Sequence, residues 1–263
     1  MAKLRPLLHK IISPYQSVFI LGRWIVENQV VVHKLLHSFK SRKVKNGFMA
    51  LKLDLQKAYD RVNRKFIQVV LLNLGLSSTF IGWIMACLSS VSFEVLVNRG
   101  KSNHFVPRRG LRQGDPFSSY LFILGQEVLS RMLDRELMKG NINGAKASIR
   151  SPTLTLVMYA NDIVLFSKAT RHDARTLSNF LEKYHDWSGQ SINRAKSGIF
   201  FSKHTLAENR RAIKHQLGMR KLKKDAIDLG APMFPTRSPS RDFKFLEHKL
   251  EAKLENWRSR CLS

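Results

Sequence analysis

The chain has 263 residues, 44% of them hydrophobic, enough for one large domain or two small ones with a sizeable core. Lys and Arg number 45 against 19 Asp and Glu, a net charge of +26 that implies a polyanionic partner, bound in a salt-sensitive and weakly sequence-selective way. Two cysteines, Cys87 and Cys261, exclude a disulfide framework or a zinc site, and no apolar run approaches the ~20 residues needed to cross a bilayer.

With so few cysteines and no signal-peptide pattern at the basic N-terminus, the expected setting is intracellular and reducing, nucleus or cytoplasm. Leu4–Ile12 predicts a short helix stopped at Ser13-Pro14, and Gln16–Arg23 ends on a Gly turn before Arg23. Ile25–Phe39 has Ile25, Val30, Val31, Leu35 and Leu36 near helical spacing, which predicts a helix buried on that stripe. A basic loop, Lys40–Lys45, closes at Asn46-Gly47. Phe48–Leu55 then reads as a strand, with Leu51, Leu53 and Leu55 on one face and Lys52 and Asp54 on the other. From Asp60 the spacing of Val62, Phe66, Val69, Val70 and Leu74 predicts a helix ended by Gly75. A second helix starts at Ser77 or Ser78 with Ile81, Ile84, Met85 and Leu88 on one face, and Cys87 within it reads as a core thiol. Ser92–Val97 and Asn103–Pro107 predict a strand pair around Asn98-Arg99-Gly100.

Gly110–Pro116 reads Gly-Leu-Arg-Gln-Gly-Asp-Pro and opens a helix running to about Met138, with Pro116 suited to the first turn. Lys146–Arg150 suggests a short strand. Leu154–Phe166 holds two apolar runs around the polar step Asn161-Asp162, a β-hairpin pattern. A carboxylate at the tip of such a hairpin is costly unless its charge is needed, and a divalent metal is one such need. Asp54 is the second carboxylate on a comparable strand, and the two meet only if their strands are neighbours in one sheet. His172–Trp187 predicts an amphipathic helix with Leu177, Phe180, Leu181, Tyr184 and Trp187 on its stripe. Lys196 precedes a strand ending at Phe201, Ala207–Leu217 predicts a basic helix, and Arg220–Lys224 is a charge run. Phe243–Trp257 predicts a last helix. This order suits an α+β fold, an antiparallel sheet with helices on one face.

Three segments carry a family resemblance: Ala-Leu-Lys-Leu-Asp-Leu-Gln-Lys-Ala-Tyr-Asp-Arg-Val (50–62), Gly-Leu-Arg-Gln-Gly-Asp-Pro (110–116) and Tyr-Ala-Asn-Asp (159–162). In order and spacing they resemble consecutive polymerase motifs of non-LTR (LINE-type) retrotransposon reverse transcriptases, especially those of plants. The resemblance implies a right-hand polymerase: partial fingers over 1–47, a palm with a fingers insertion over 48–202, and the end of the palm, the primer-grip hairpin (Asp228–Phe234) and the start of a thumb over 203–263. It implies RNA-directed DNA polymerisation with two Mg2+ ions, an RNA template, a DNA primer and deoxynucleoside triphosphates; no membrane is expected, and nothing in the sequence points to a protein partner. Carried onto this chain, it makes Asp54, Asp162 and the Leu55 carbonyl metal ligands. Lys196 becomes the proton donor to departing pyrophosphate, and Arg23, Tyr59, Arg112, Gln113 and Gly114 become nucleotide contacts. Asn161 stands where the family usually has Asp. Its amide brings no charge, which implies an impaired polymerase; the alternative is a catalytically dead remnant that binds nucleic acid through its basic surface.

Overall fold

The computed structural model describes residues 4–261 apart from positions 42, 43, 45, 99, 149, 224 and 237. At its centre, β1 (Phe48–Asp54) pairs antiparallel with β5 (Asp162–Lys168) on one side and β6 (Gly198–Phe201) on the other. Beyond β5 lies β4 (Leu156–Tyr159), and the two-residue β7 (Arg220–Lys221) joins β6 in parallel. The alternation read in the sequence decides the two faces. Leu51, Leu53 and Leu55 join Leu165, Met158 and Ile199 in a large core. Phe48, Ala50, Val157, Val164 and Phe166 face a smaller one.

The large core is closed by α3 (Arg64–Asn73), α5 (Pro116–Met138), α6 (Arg171–Ser188) and α7 (Ala207–Leu217), with α1 (Arg5–Ile11) adding Leu8 and α4 (Ser78–Ser89) adding Ile81, Ile84 and Leu88. This is the expected α+β arrangement. One helix lies across the sheet: α2 (Ile25–Ser41) covers part of the opposite face with Val32, Leu35, Leu36 and Phe39. The β2 (Leu96–Val97)–β3 (Gly100–Lys101) hairpin is exposed. A second hairpin, β8 (Ile227–Asp228)–β9 (Ala231–Pro232), puts Met233 into the smaller core, and α8 (Pro239–Cys261) ends the chain. Among the described residues no helix is long and apolar enough to cross a membrane.

Several expectations need correction. Val30 and Val31 are exposed; α2 buries Leu35 and Leu36 as expected, together with Val32 and with Phe39, which stacks on Phe48 at 5.1 Å. Cys87 is exposed rather than a core thiol, and Trp187 is 43% exposed beneath Lys183. No strand forms among the described residues of Lys146–Arg150; instead Ala145 bridges Leu154. The basic loop Lys40–Lys45, the turn at Arg99 and the run Arg220–Lys224 fall partly outside the described residues.

The helix expected from Asp60 begins at Arg64, where Asn63 caps it by accepting from the Lys65 N–H at 3.0 Å. Residues 56–62 instead form a turn clamped between two glycines. Gly110 (φ +90) donates to Val62 O at 2.8 Å, and Leu111 donates to Tyr59 O at 2.9 Å. Gly189 (φ +76) ends α6, and a Cβ there would stand 2.5 Å from Arg61 O. Gly189→Ala is therefore expected to cost about 2 kcal/mol or more, lowering Tm by roughly 4–8 °C. Gly140, also at positive φ (+73) but with no neighbour within 4 Å, is the control. Equal Tm losses for both alanine variants in a thermal melt would remove the contact argument.

Candidate active site

The register places Asp54 directly opposite Asp162 where β1 and β5 end together. Side chains so paired share a face, with Cβ atoms about 4.5–5.5 Å apart, inside the reach of joint coordination. The hairpin turn lies one residue earlier than expected: Ala160 and Asn161 form its tip, and Tyr159 pairs with Asp162 as the first residue of β5. Ala160 takes φ +51, a left-handed conformation costly for a residue with a side chain. Gln16 holds it there. Its buried side chain accepts from Ala160 N at 3.1 Å and donates to Gln126 Oε1 at 2.9 Å. Nearby, Asn28 donates to Met158 O at 2.7 Å. Neither anchor was singled out in the sequence, where Gln16 precedes Ser17 and Asn28 stands between Glu27 and Gln29, so neither carries a signal of burial.

Burial pushes the Asp162 carboxyl above the usual carboxylate range; Lys52 opposes the rise, and the negative charges of Asp228 and Asp54 add to it. Lys52 is itself engaged, donating to Asp228 Oδ1 at 2.7 Å and to Ile227 O at 2.6 Å. A carboxyl with a raised pKa holds its proton more tightly folded than unfolded, so stability falls as pH rises from the ordinary pKa through the raised one. Without divalent cations, Asp162→Asn is expected to melt above the parent near pH 7, the gap narrowing as pH falls toward about 4. A parent that melts at or above the variant at neutral pH would contradict the desolvated carboxylate.

Of the other residues singled out in the sequence, Leu55 adjoins Asp54 along the chain and Lys196 lies in the segment that bonds to it; Tyr59 and Gln113 have partners of their own. The main-chain bonds Asn193 N to Asp54 O and Gln56 N to Ser191 O, both 2.8 Å, run to the same flanking segment. Carbonyls alternate along an extended strand, so the Leu55 carbonyl faces the other way, toward the hairpin. Ser197 Oγ accepts from Asp54 N at 3.0 Å, and exposed Lys196 is its chain neighbour. Tyr59 stacks on Phe122 at 4.7 Å and donates to Ser119 Oγ at 3.3 Å, so it is held rather than free. Gln113 donates to Asp60 Oδ1 at 3.1 Å, and Gly114 takes φ +82 with open space where a Cβ would stand. Arg112 lines a cleft of about 850 Å3 with Asp60, Arg64, Arg108 and Arg109.

Arg23 departs from expectation. Its Nη1 donates to Ser13 O and Gln16 O, each at 2.6 Å, and its Nη2 to Ile12 O at 2.9 Å. Burial lowers its pKa, with Glu127 and Glu27 opposing. The guanidinium thus staples the loop that carries Gln16 rather than standing free for a phosphate. Among the described residues no group of three or more His, Cys, Asp or Glu side chains could hold a metal ion. The candidate donors remain those expected, Asp54, Asp162 and the Leu55 carbonyl. Mg2+ is commonly held by one or two carboxylates together with substrate phosphates, so the set fits that ion.

A family model described as reverse transcriptase (RNA-dependent DNA polymerase) matches residues 1–250. The Transposon TX1 uncharacterized 149 kDa protein of Xenopus laevis is 28% identical over 197 residues, 74% of this chain and 14% of that protein. The retrovirus-related Pol polyprotein from the type-2 retrotransposable element R2DM of Drosophila melanogaster is 29% identical over 157 residues, 59% of this chain and 14% of that protein. Among solved structures, telomerase from Candida tropicalis in complex with the TWJ fragment of telomeric RNA matches with TM-score 0.59 at 11% identity, covering 92% of this chain and 36% of that one. At that identity the likeness is one of fold, and the chain spans only 14% of the length of the two curated relatives.

Proposed function

From the chain's membership of the reverse transcriptase (RNA-dependent DNA polymerase) family, we propose that Asp54 and Asp162 form a magnesium-dependent nucleotidyl-transfer site, weakened by Asn161, that copies an RNA template onto a DNA primer. The observation that carries this reading is the cross-strand pairing of the two carboxylates. Bound there, Mg2+ would polarise the triphosphate and lower the pKa of the primer hydroxyl, and two such ions are the expectation. Asp54, Asp162 and the Leu55 carbonyl hold the charge. Tyr59, fixed by Phe122 and Ser119, presents a ring edge to the sugar. Gln113 and the open face over Gly114 take the base and backbone of the incoming nucleotide, Arg112 faces its phosphates, and Lys196 stands at the exposed rim to protonate pyrophosphate.

In this reading residues 1–47 are fingers, 48–202 the palm, and 203–263 its end with the β8–β9 primer grip and the first thumb helix. A net charge of +26 suits nucleic-acid binding, in the nucleus or cytoplasm. The test is primer extension on RNA with deoxynucleoside triphosphates, with and without Mg2+. Slow, Mg2+-dependent extension abolished by Asp54→Asn supports the reading. Extension that survives Asp54→Asn, or that needs no divalent ion, overturns it. The second reading, a nucleic-acid-binding chain without catalysis, is favoured by the missing charge at Asn161 and is separated from the first by restoring that charge.

A further inference from the structure

A second concave site lies at the other end of the sheet. Five cations, Lys40, Lys203, Arg210, Lys214 and Lys221, line a cavity of about 430 Å3 at the edge where α2, β6, α7 and β7 meet. Phe200 and Phe201 complete its wall. No carboxylate lines it, and among the described residues none of the five cations is ion-paired. Arg210 donates from Nη2 to Ser202 O at 3.0 Å and Lys203 O at 2.9 Å, but its Nε is buried without an acceptor. Leaving a buried donor unpaired is unfavourable, and crowding like charges adds repulsion. Phosphate oxygens in the cavity would relieve the repulsion among the cations.

The cavity is not the carboxylate site. Phe200 and Phe201 pair with Ala50 and Met49, on the side of β1 away from β5. Those positions lie four and five residues before Asp54, about 13–17 Å along the strand. Phe200 is only partly buried; its ring lies 4.7 Å from Phe234, tilted by 39°, and 6.4 Å from Phe39, and it lines the cavity beside the cations. Cations interleaved with an aromatic face in a concave groove match the way single strands are held, phosphates on the charges and a base on the ring. A duplex presents a convex surface that a cavity of this size does not admit.

We propose that this cavity binds the phosphodiester backbone of a single-stranded nucleic acid, apart from and independently of the carboxylate pair. RNA and DNA share that chemistry, and the experiment distinguishes them. Lysine acylation of the full chain would be compared alone and with single strands of about 16 nucleotides, RNA or DNA, with a duplex of that length, and with inorganic tripolyphosphate. Protection of Lys40, Lys203, Lys214 and Lys221 several-fold beyond exposed Lys10 and Lys183 by either single strand supports the site and identifies its source. Combining Lys203→Glu, Lys214→Glu and Lys221→Glu should make the logarithmic salt dependence of single-strand affinity shallower by about 2 and weaken binding at least about tenfold near 0.15 M salt. The control combines Lys10→Glu, Arg175→Glu and Lys183→Glu, all on exposed residues.

Equal losses in the control would reduce the effect to net charge and overturn the proposal. So would protection of the four lysines no greater than that of Lys10 and Lys183, or equal protection by tripolyphosphate or by the duplex. The footprint uses the unaltered protein, so a variant that fails to fold does not decide the matter. None of these measurements needs catalysis, so an inactive carboxylate site leaves them readable.

Discussion

Asn161→Asp is expected to raise Mg2+-dependent extension on the order of 10³-fold over the parent, the rate equivalent of about 4 kcal/mol of recovered transition-state stabilisation. The substitution changes charge with almost no change in shape. Asn161 sits at the hairpin tip between Ala160, pinned by Gln16, and Asp162, pinned by its pairing with Asp54. The backbone is set by those neighbours, so an aspartate there inherits the same position. On the proposed reading it lifts the formal charge available to the ions from two negatives to three. A second readout follows from the same electrostatics. Asp162 is already held protonated more tightly than usual by burial and by Asp228 and Asp54. A further carboxylate beside it should lower the melting temperature without divalent ions and enlarge the stabilisation gained on adding them. Asp54→Asn in the Asn161→Asp background should return extension to the blank. If Asn161→Asp gains nothing while the parent is inactive, the non-catalytic reading stands; if the parent is as fast as the variant, the charge count was the wrong criterion.

The face on which Asp54 stands was legible because its strand alternates Leu51, Leu53 and Leu55 with Lys52 and Asp54. A one-residue slip in Phe48–Leu55 would bury Lys52 and Asp54 with the large core, whereas Ile163–Phe166 is apolar on both faces and takes its register from β1. The turn between β4 and β5 was misplaced by one residue because a contact 144 positions distant decides it: Gln16 binds Ala160 N and holds a conformation that alanine does not favour alone. The stretch after Asp60 was read as helix for a similar reason. Its apolar spacing is helical, but Gly110 and Gly189 bring two other segments against it and hold it as a turn. Helical spacing also misassigned Val30, Val31, Cys87 and Trp187, since a period reveals that a stripe exists and not which stripe meets the sheet. The last helix is present as α8, and Phe243, Leu246, Leu250 and Leu254 are exposed along it.

Asp228→Ala is expected to destabilise the fold by about 3 kcal/mol, toward the lower end of what stranding a buried charge costs. The pair it breaks was invisible in the sequence, since Lys52 and Asp228 are 176 positions apart. The Lys52 ammonium donates to Asp228 Oδ1 and Ile227 O, with side-chain exposures of 15% and 6% for the two residues. Removing the carboxylate leaves the ammonium with one carbonyl and little water. The hairpin does not detach entirely, because Gln29 Nε2 still donates to Leu229 O at 2.9 Å and His33 Nε2 to Pro232 O at 3.0 Å. The cheaper escape for Lys52 is to turn along its own face toward Asp54, two residues on, and Asp162. Lys52 already opposes the rise in the Asp162 pKa, so a freed ammonium becomes an internal rival for any cation bound there. Divalent affinity should fall in Asp228→Ala and recover when Lys52→Met is added, with much of the stability returning as the lone charge disappears. Denaturant melts and a Mn2+ titration of the two single variants and the double variant measure both effects. If Asp228→Ala lies within about 0.5 kcal/mol of the parent, or if adding Lys52→Met restores neither stability nor Mn2+ affinity, Lys52 is an ordinary surface cation.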